Sequence, residues 1–220
     1  MTKIEFENIA EQIITNGILK AIDKFNCPLI VSGVPENWHN DFHTHGFEEY
    51  AIFQDYWIDS LVSPGNQYND YDVLHNGDCF TASEISIACR GLSRGFEGES
   101  PEWFFEWLDG EDKLQNSAVL VYKMDSKIVG ISCTATYAHD SEKGTVLWVR
   151  MMAVHPNFQG YGIGTKLLLQ TLQYGVEHGA KRAFLHADTE NASAIKIYLK
   201  AGFHPRIDEK QINMILKENK

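Results

Sequence analysis

The stretch "HPNFQGYGIG", residues 155–164, decides how the chain is read. Before it, "VLWVRMMAV" reads as a strand, and after it "TKLLLQTLQYGVEHG" reads as a helix. Pro156 has no N–H to give to a sheet ladder, so the strand must stop near it. Gly160, Gly162 and Gly164 remove side chains where the helix begins. The first helical turn then presents bare N–H groups and the positive end of the helix dipole. Such a turn is a cradle for a phosphate or pyrophosphate.

Three anion-binding patterns compete for this loop, beside an unliganded tight turn. A Walker loop ends in Gly-Lys-Ser/Thr, whereas "GIGTK" has Thr and Lys in the opposite order. A dinucleotide fingerprint needs G-x-G-x-x-G early in a βαβ unit; here the spacing is G-x-G-x-G and lies late in the chain. The third pattern, Q-x-x-G-x-G, fits Gln159, Gly162 and Gly164.

Downstream, "ENASAIKIYLKAGF" holds N-x-x-A-x-x-x-Y-x-x-x-G-F, with Asn191, Ala194, Tyr198, Gly202 and Phe203 in the named places. Asn191 is a natural helix cap. Positions 191 and 198 lie about two turns apart and share a helix face. Gly202 supplies a left-handed helix stop. Tyr198 taken alone reads as core packing; its spacing from the glycine loop is what turns the reading toward function.

With both motifs in place, the sequence resembles the GNAT superfamily of acyl-CoA-dependent N-acyltransferases, strongly from Thr145 to Phe203 and more weakly from residue 70 onward. The resemblance implies an α/β (mixed α+β) fold: a central, mostly antiparallel sheet whose fourth and fifth strands splay apart, flanked by helices. It implies acetyl-CoA as cosubstrate; no metal is expected, since the cysteines and histidines offer no ligand set. The pantetheine arm would pair with the backbone of Met152, Ala153 and Val154, and the pyrophosphate would sit on Gln159, Gly160, Tyr161, Gly162, Ile163, Gly164 and Thr165. Asn191 would contact the cofactor, and Tyr198 would reach the thioester sulfur as the catalytic residue.

The chemistry suits these parts. A neutral amine attacks a thioester carbonyl, a backbone N–H at the end of the 145–154 strand can stabilise the oxyanion, and the Tyr198 phenol can protonate the departing thiolate. Direct transfer mainly asks the protein to hold two substrates in line. The acceptor is expected to be a small-molecule or peptide amine. A non-catalytic CoA-binding or sensing protein is the alternative. The general base has no clear owner, because "TVLWVRMMAV" contains no carboxylate; His75, His186 and Asp188 are the candidate substitutes.

Composition bounds the rest. Of 220 residues, 44% are hydrophobic and 22% charged, an ordinary globular balance. No apolar run approaches a membrane span and the start lacks a signal-peptide core, so a cytoplasmic protein without a membrane partner is expected. The net charge of −11 argues against nucleic acid. Residues 1–110 carry 19 acidic and 5 basic side chains, and residues 111–220 carry 11 and 14. The acidic half favours a cationic acceptor. Cys27, Cys79, Cys89 and Cys133 form no C-x-x-C pair and read as reduced, packed thiols.

Two regions are expected, 1–65 and 66–220, divided near the turn-rich "SPGNQYND" at 63–70. In the second, "YDVLHN" reads as a strand, "TASEISIACRGLSRG" as a helix, "SPEWFFEWLDG" as a helix capped by Ser100 with Pro101 at its first position, and 117–138 as a hairpin around "MDSK". The last strand is "QINMILK". The first region holds a helical stretch, "AEQIITNGILKAIDKF", and a strand, "PLIVSGV". There, "PENWHNDFHTHGFEEYAIF" parallels "TENASAIKIYLKAGFHPRI": Glu36-Asn37 matches Glu190-Asn191, Gly46-Phe47 matches Gly202-Phe203, and Phe42 replaces Tyr198. Residues 5–62 therefore read as a degenerate GNAT half-repeat without the loop or the phenol, or as a chance likeness of two similar segments. Packing of this segment against a second copy makes a homodimer compatible with the sequence. His39, His43 and His45 cluster around Asp41, but with no distant ligand indicated they read as a solvated helix end rather than a metal site.

Overall fold

A computed structural model describes residues 16–18, 20 and 29–217. The described chain falls into two compact units, one made of residues up to Gln54 together with those from Asp208 onward, the other Asp55–Ile207. The turn-rich segment 63–70 lies inside the second unit. The expected helix at 10–25 and Cys27 lie largely outside the described residues.

The second unit is built on a sheet with order β2-β7-β6-β5-β4-β3. Its strands are β2 (Glu48–Ile58, which begins in the first unit), β3 (Asp72–Val73), β4 (Gln115–Met124), β5 (Lys127–Tyr137), β6 (Val146–Val154) and β7 (Arg182–Asp188). The β3–β4, β4–β5 and β5–β6 pairs are antiparallel, and β6–β7 is parallel. The β4–β5 hairpin closes on Asp125 and Ser126 with φ of 48° and 63°, the two successive positive angles that match the right-handed twist of the flanking strands.

Helices cover both faces. Helices α2 (Cys79–Ala88) and α3 (Pro101–Asp109) bury Ile85 and Phe104 against Val119, Ile131, Cys133 and Met151. Helices α4 (Ile163–Glu177) and α5 (Ala192–Lys200) lie on the other face, where Leu167, Leu168 and Leu172 meet Leu147, Leu185 and Phe203. In α4 the positions 163, 167, 168, 171, 172 and 175 form a buried stripe, and Gln170, Gln173 and Tyr174 beside it are buried as well. The hydroxyl of Ser100 accepts from Trp103 N at 3.2 Å and Pro101 opens α3, as expected from the sequence.

Three elements differ from the sequence reading. The 81–95 helix instead starts at Cys79 and stops at Ala88, because Gly91, Gly95 and Gly98 take positive φ and loop the chain back. There Ser83 donates to Glu99 O at 2.8 Å and Glu99 N donates to Ser86 at 2.9 Å. The 71–76 strand shrinks to two residues, since His75 already leads into a tight turn. The last strand, β8 (His204–Leu216), is longer than "QINMILK"; Pro205 is tolerated because it sits at the strand's beginning.

In the first unit, β1 (Leu29–Val34) pairs antiparallel with the end of β8. Helix α1 (His39–Thr44) packs Phe42 against Phe47, Met214 and Leu216. The three histidines turn to the backbone: His39 Nε2 donates to Val34 O, His43 Nδ1 to Phe47 O and His45 Nδ1 to Asp41 O. The end of α1 repeats the end of α5. His45 N donates to Asp41 and Phe42 carbonyls, Gly46 N to His43 and Phe47 N to Phe42; Ala201, Gly202 and Phe203 make the same bonds to Ile197, Tyr198 and Leu199. The glycine φ values are 85° and 96°, where a Cβ is disfavoured.

Close packing of α4 on β6 depends on Gly175, where an added Cβ would lie 2.6 Å from Leu147 Cδ2. Leu147 is fully buried and has no room to retreat. Gly175→Val is expected to destabilise the protein by about 1–3 kcal/mol or more, the usual cost of overpacking. A urea midpoint unchanged from wild type contradicts this packing.

Candidate active site

The sheet opens between β6 and β7. Their register covers Val146↔Arg182, Leu147↔Ala183 and Trp148↔Phe184, while β6 continues to Val154 and β7 to Asp188. On the other side of β6, Cys133 faces Met151 and Thr134 faces Val149, so Arg150 is an extra residue in a bulge at the start of the opening. His155 N donates to Val129 O. By the alternation of an antiparallel ladder, Ala153 is then bonded to β5, and the backbone N–H groups of Met152 and Val154 face the opening. The Val154 carbonyl is occupied, accepting from Gln159 Nε2 at 2.9 Å and Cys89 Sγ at 3.3 Å.

Beyond Val154 the chain turns through Pro156–Phe158 into the glycine loop. Gly162 caps α4 with φ 76° and has open space around its α-carbon. The first helical bond is Lys166 N to Gly162 O, so the N–H groups of residues 163–165 lie ahead of it and point out of the helix end. An added Cβ at Gly164 would meet Ile197 at 3.4 Å, which brings the start of α4 close to α5. The loop positions differ in what they present. Tyr161 is exposed, while the Ile163 side chain is buried in the core and offers only its backbone. The Gln159 amide is spent on tying the loop to β6. Asn191 Oδ1 accepts from Ala194 N at 3.2 Å and from Ser193 Oγ at 3.0 Å, so its acceptor caps α5.

Tyr198, on α5, packs against the same apolar cluster as Met152. Its ring lies 6.3 Å from Tyr56 and 6.2 Å from Phe203. Burial, with Tyr56 adding to it, pushes its pKa up to about 12, so it remains a protonated phenol at any ordinary pH.

The base candidates separate. His75 lies beyond β3, three strands from β6, roughly 14 Å across the sheet, and is not brought to the opening. Asp188 is buried at 2% side-chain exposure and locked by Arg94, which donates through Nη2 at 2.6 Å, Nε at 3.0 Å and its backbone N at 2.9 Å. Burial alone would raise the Asp188 pKa, but these bonds hold it below the usual carboxylate range. His186, on β7, is depressed by burial and then by Arg150, which keeps its imidazole neutral. Glu99 joins these groups from outside both sequence motifs. Its carboxylate lies 3.8 Å from Arg150 Nη2, and burial pushes its pKa up against the lowering effect of that guanidinium. No motif marks Glu99; only the loop that closes on Ser83 and Ser86 brings it there.

The Arg94–Asp188 pair has a pH signature. In wild type the native carboxyl binds its proton less readily than the unfolded one, so the stabilisation is complete above about pH 4 and is lost as pH falls through the native pKa. In Arg94→Gln, Asp188 is left buried without its partner and its native pKa rises. The variant is expected to be less stable by about 3–5 kcal/mol at pH 7, with the gap narrowing as pH falls through the raised pKa of its unpaired Asp188 and closing only below the depressed native pKa of wild type, where both proteins carry a protonated Asp188. A gap independent of pH in urea unfolding counts against the lock.

The comparisons with known proteins agree with this geometry. The acetyltransferase (GNAT) family model matches residues 83–203. An uncharacterized N-acetyltransferase of Methanocaldococcus jannaschii is 31% identical over 105 residues, 47% of this chain and 45% of that protein. An uncharacterized N-acetyltransferase of Archaeoglobus fulgidus is 32% identical over 96 residues, 43% of this chain and 63% of its own length. The chain thus matches about half of these curated relatives. The crystal structure of a GCN5-related N-acetyltransferase from Sphaerobacter thermophilus superposes with a TM-score of 0.68 at 14% identity, over 99% of this chain and 70% of that one, and so shares the fold. With a family match over more than half of its length and the opened β6–β7 pair that the fold requires, this chain belongs to the GNAT acetyltransferase family.

Proposed function

We propose that the chain is an acetyl-CoA-dependent N-acetyltransferase acting on a small-molecule or peptide amine. The observation that carries this is an order of parts: β6, unpaired from β7 beyond Trp148, leads directly into the open helix start at residues 159–165, and Tyr198 packs on the same apolar cluster as Met152. The N–H groups of 163–165, with no side chain at Gly162, suit a pyrophosphate. The backbone of Met152 and Val154 suits the amides of a pantetheine arm. Ala153 is turned to β5, and Gln159 and Asn191 act through the loop and helix cap that they hold in place.

Acetyl-CoA supplies a thioester carbonyl that an amine can attack. The amine nitrogen forms a bond to that carbon, the carbon–sulfur bond breaks, and the thiolate takes the Tyr198 proton. A backbone N–H facing the opening stabilises the oxyanion. Two groups beside Arg150 can take the amine proton, His186 as a neutral imidazole and Glu99 as a carboxylate of raised pKa. Arg150 adds a positive charge that favours the neutral form of an amine near it. Loss of the acidic limb of the pH–rate profile in His186→Gln or in Glu99→Gln assigns the role.

We also propose that residues 1–65 are a half-repeat attached to a transferase domain that begins near residue 66. The matching hydrogen bonds at the ends of α1 and α5 support this, as does the common strand–helix–strand order. Phe42 stands where Tyr198 stands and has no proton to give. The free, buried thiols of Cys79, Cys89 and Cys133 suit a reducing compartment and favour a cytoplasmic setting.

Thiol release from acetyl-CoA with a panel of amines tests the reading. Wild type is expected to turn over. Tyr198→Phe should fall about a hundredfold or more in kcat with acetyl-CoA affinity nearly unchanged, while Gly162→Val should lose affinity in calorimetry. Acetyl-CoA binding without turnover of any amine leaves a CoA-binding protein instead. Equal affinity in wild type and Gly162→Val removes the cradle.

A further inference from the structure

On the α2/α3 face, beside the paired start of β6 and β7, lies a groove of about 540 Å³, within the size range of small-molecule sites. Trp103, Trp107 and Trp148 form its aromatic part, and Glu106, Glu111 and Asp112 contribute its carboxylates. Trp103 and Trp107 stack 5.2 Å apart at 13°, one helical turn apart on α3, and Trp148 meets Trp107 edge-on at 5.9 Å. The single ammonium in the lining, Lys113, is already committed: it donates to Leu108 O at 2.8 Å and pairs with Asp109 at 3.5 Å. Indole faces with carboxylates around them bind organic cations.

The groove also has a direction. Trp148 precedes the bulge and Met152 follows it, a separation of about 13 Å along an extended strand. The Arg150 guanidinium lies between them, 5.7 Å from the Trp148 ring and 5.9 Å from the Trp103 ring. If the pantetheine arm occupies the opening from the glycine loop to Met152, the second substrate approaches from the Trp148 end. A molecule on that path meets carboxylates first and a guanidinium last. A basic nitrogen is stabilised as a cation at the first and as a neutral amine at the second.

We propose that this groove is the acceptor site and that it takes a dibasic amine, one nitrogen held as a cation among Glu106, Glu111 and Asp112, the other presented uncharged beside Arg150 to the thioester. This rests on the transferase reading and names its substrate class. The three carboxylates are exposed, so removing their charge leaves the core untouched.

Binding can be read without catalysis by using 1,5-bis(trimethylammonio)pentane, which cannot be acetylated, and following indole fluorescence. Saturable binding is expected, weakened about tenfold in Glu106→Gln/Glu111→Gln, with acetyl-CoA affinity unchanged. In turnover, 1,5-diaminopentane should show a raised KM and an unaltered kcat in the same variant. No saturable fluorescence change at millimolar probe, or the same affinity in the variant, overturns the proposal. Probe binding with no amine turned over keeps the groove as a cation site and sinks the transferase reading. Transfer with the KM of wild type in the variant keeps the transferase and sinks the groove as acceptor site.

Discussion

Everything at the candidate site depends on one interruption of hydrogen bonding: β6 and β7 stop pairing after Trp148 and Phe184. A sheet interior normally satisfies each backbone N–H and C=O with the next strand, and an unmet group costs free energy. Here the outward backbone groups of Met152 and the N–H of Val154 are left to face an opening, while the Val154 carbonyl is met by Gln159 and Cys89. The bulge at Arg150 is part of the same event, since one extra residue re-aims the strand while its pairing with β5 continues. The apolar contacts of α4 and α5 on one face, and of α2 and α3 on the other, hold the two walls where they are. The opening is thus a property of a rigid frame, as a site that orients two substrates requires.

Around this opening the ionisable groups are pushed apart in character. Asp188 is paired with Arg94 and kept ionised, which fixes the end of β7 to the loop that follows α2. Arg150 is the charge to which Glu99 and His186 both respond, in opposite ways: it works against the burial that raises Glu99 and with the burial that depresses His186. Tyr198 sits among aromatic rings, where the phenolate is disfavoured. Neighbouring groups with displaced titration are the usual arrangement of acid–base sites, although structural ion pairs displace pKa values too. Asp188 is an example of the second kind.

Two segments of the chain share one local geometry around different side chains. The ends of α1 and α5 close with matching bonds around Gly46 and Gly202. Both present an aromatic pair, Phe42 with Phe47 at 5.1 Å and Tyr198 with Phe203 at 6.2 Å. One oxygen atom separates the two rings, because a phenyl ring packs as well as a phenol but carries no proton to donate.

Features that depend on local backbone chemistry were legible along the chain. Pro156 ended a strand, the glycines opened a helix start, Asn191 and Ser100 capped helices, and Gly202 stopped one. Each acts within a few residues, so spacing was enough to put the glycine loop at a helix start and Tyr198 on the helix after the next strand, and to suggest the family. The sequence overran the helix at Cys79–Ala88, because three glycines adopt positive φ only where the returning loop is gripped by Ser83 and Ser86. It also offered His75 and Asp188 as bases without knowing that one lies across the sheet and the other belongs to Arg94. Glu99 and Arg150 are 51 positions apart, and Trp103 and Trp148 are 45 apart; no periodicity relates them. Only the packing of α2 and α3 on the sheet brings those side chains to β6, because contacts across a core are set by which faces bury together and not by distance along the chain.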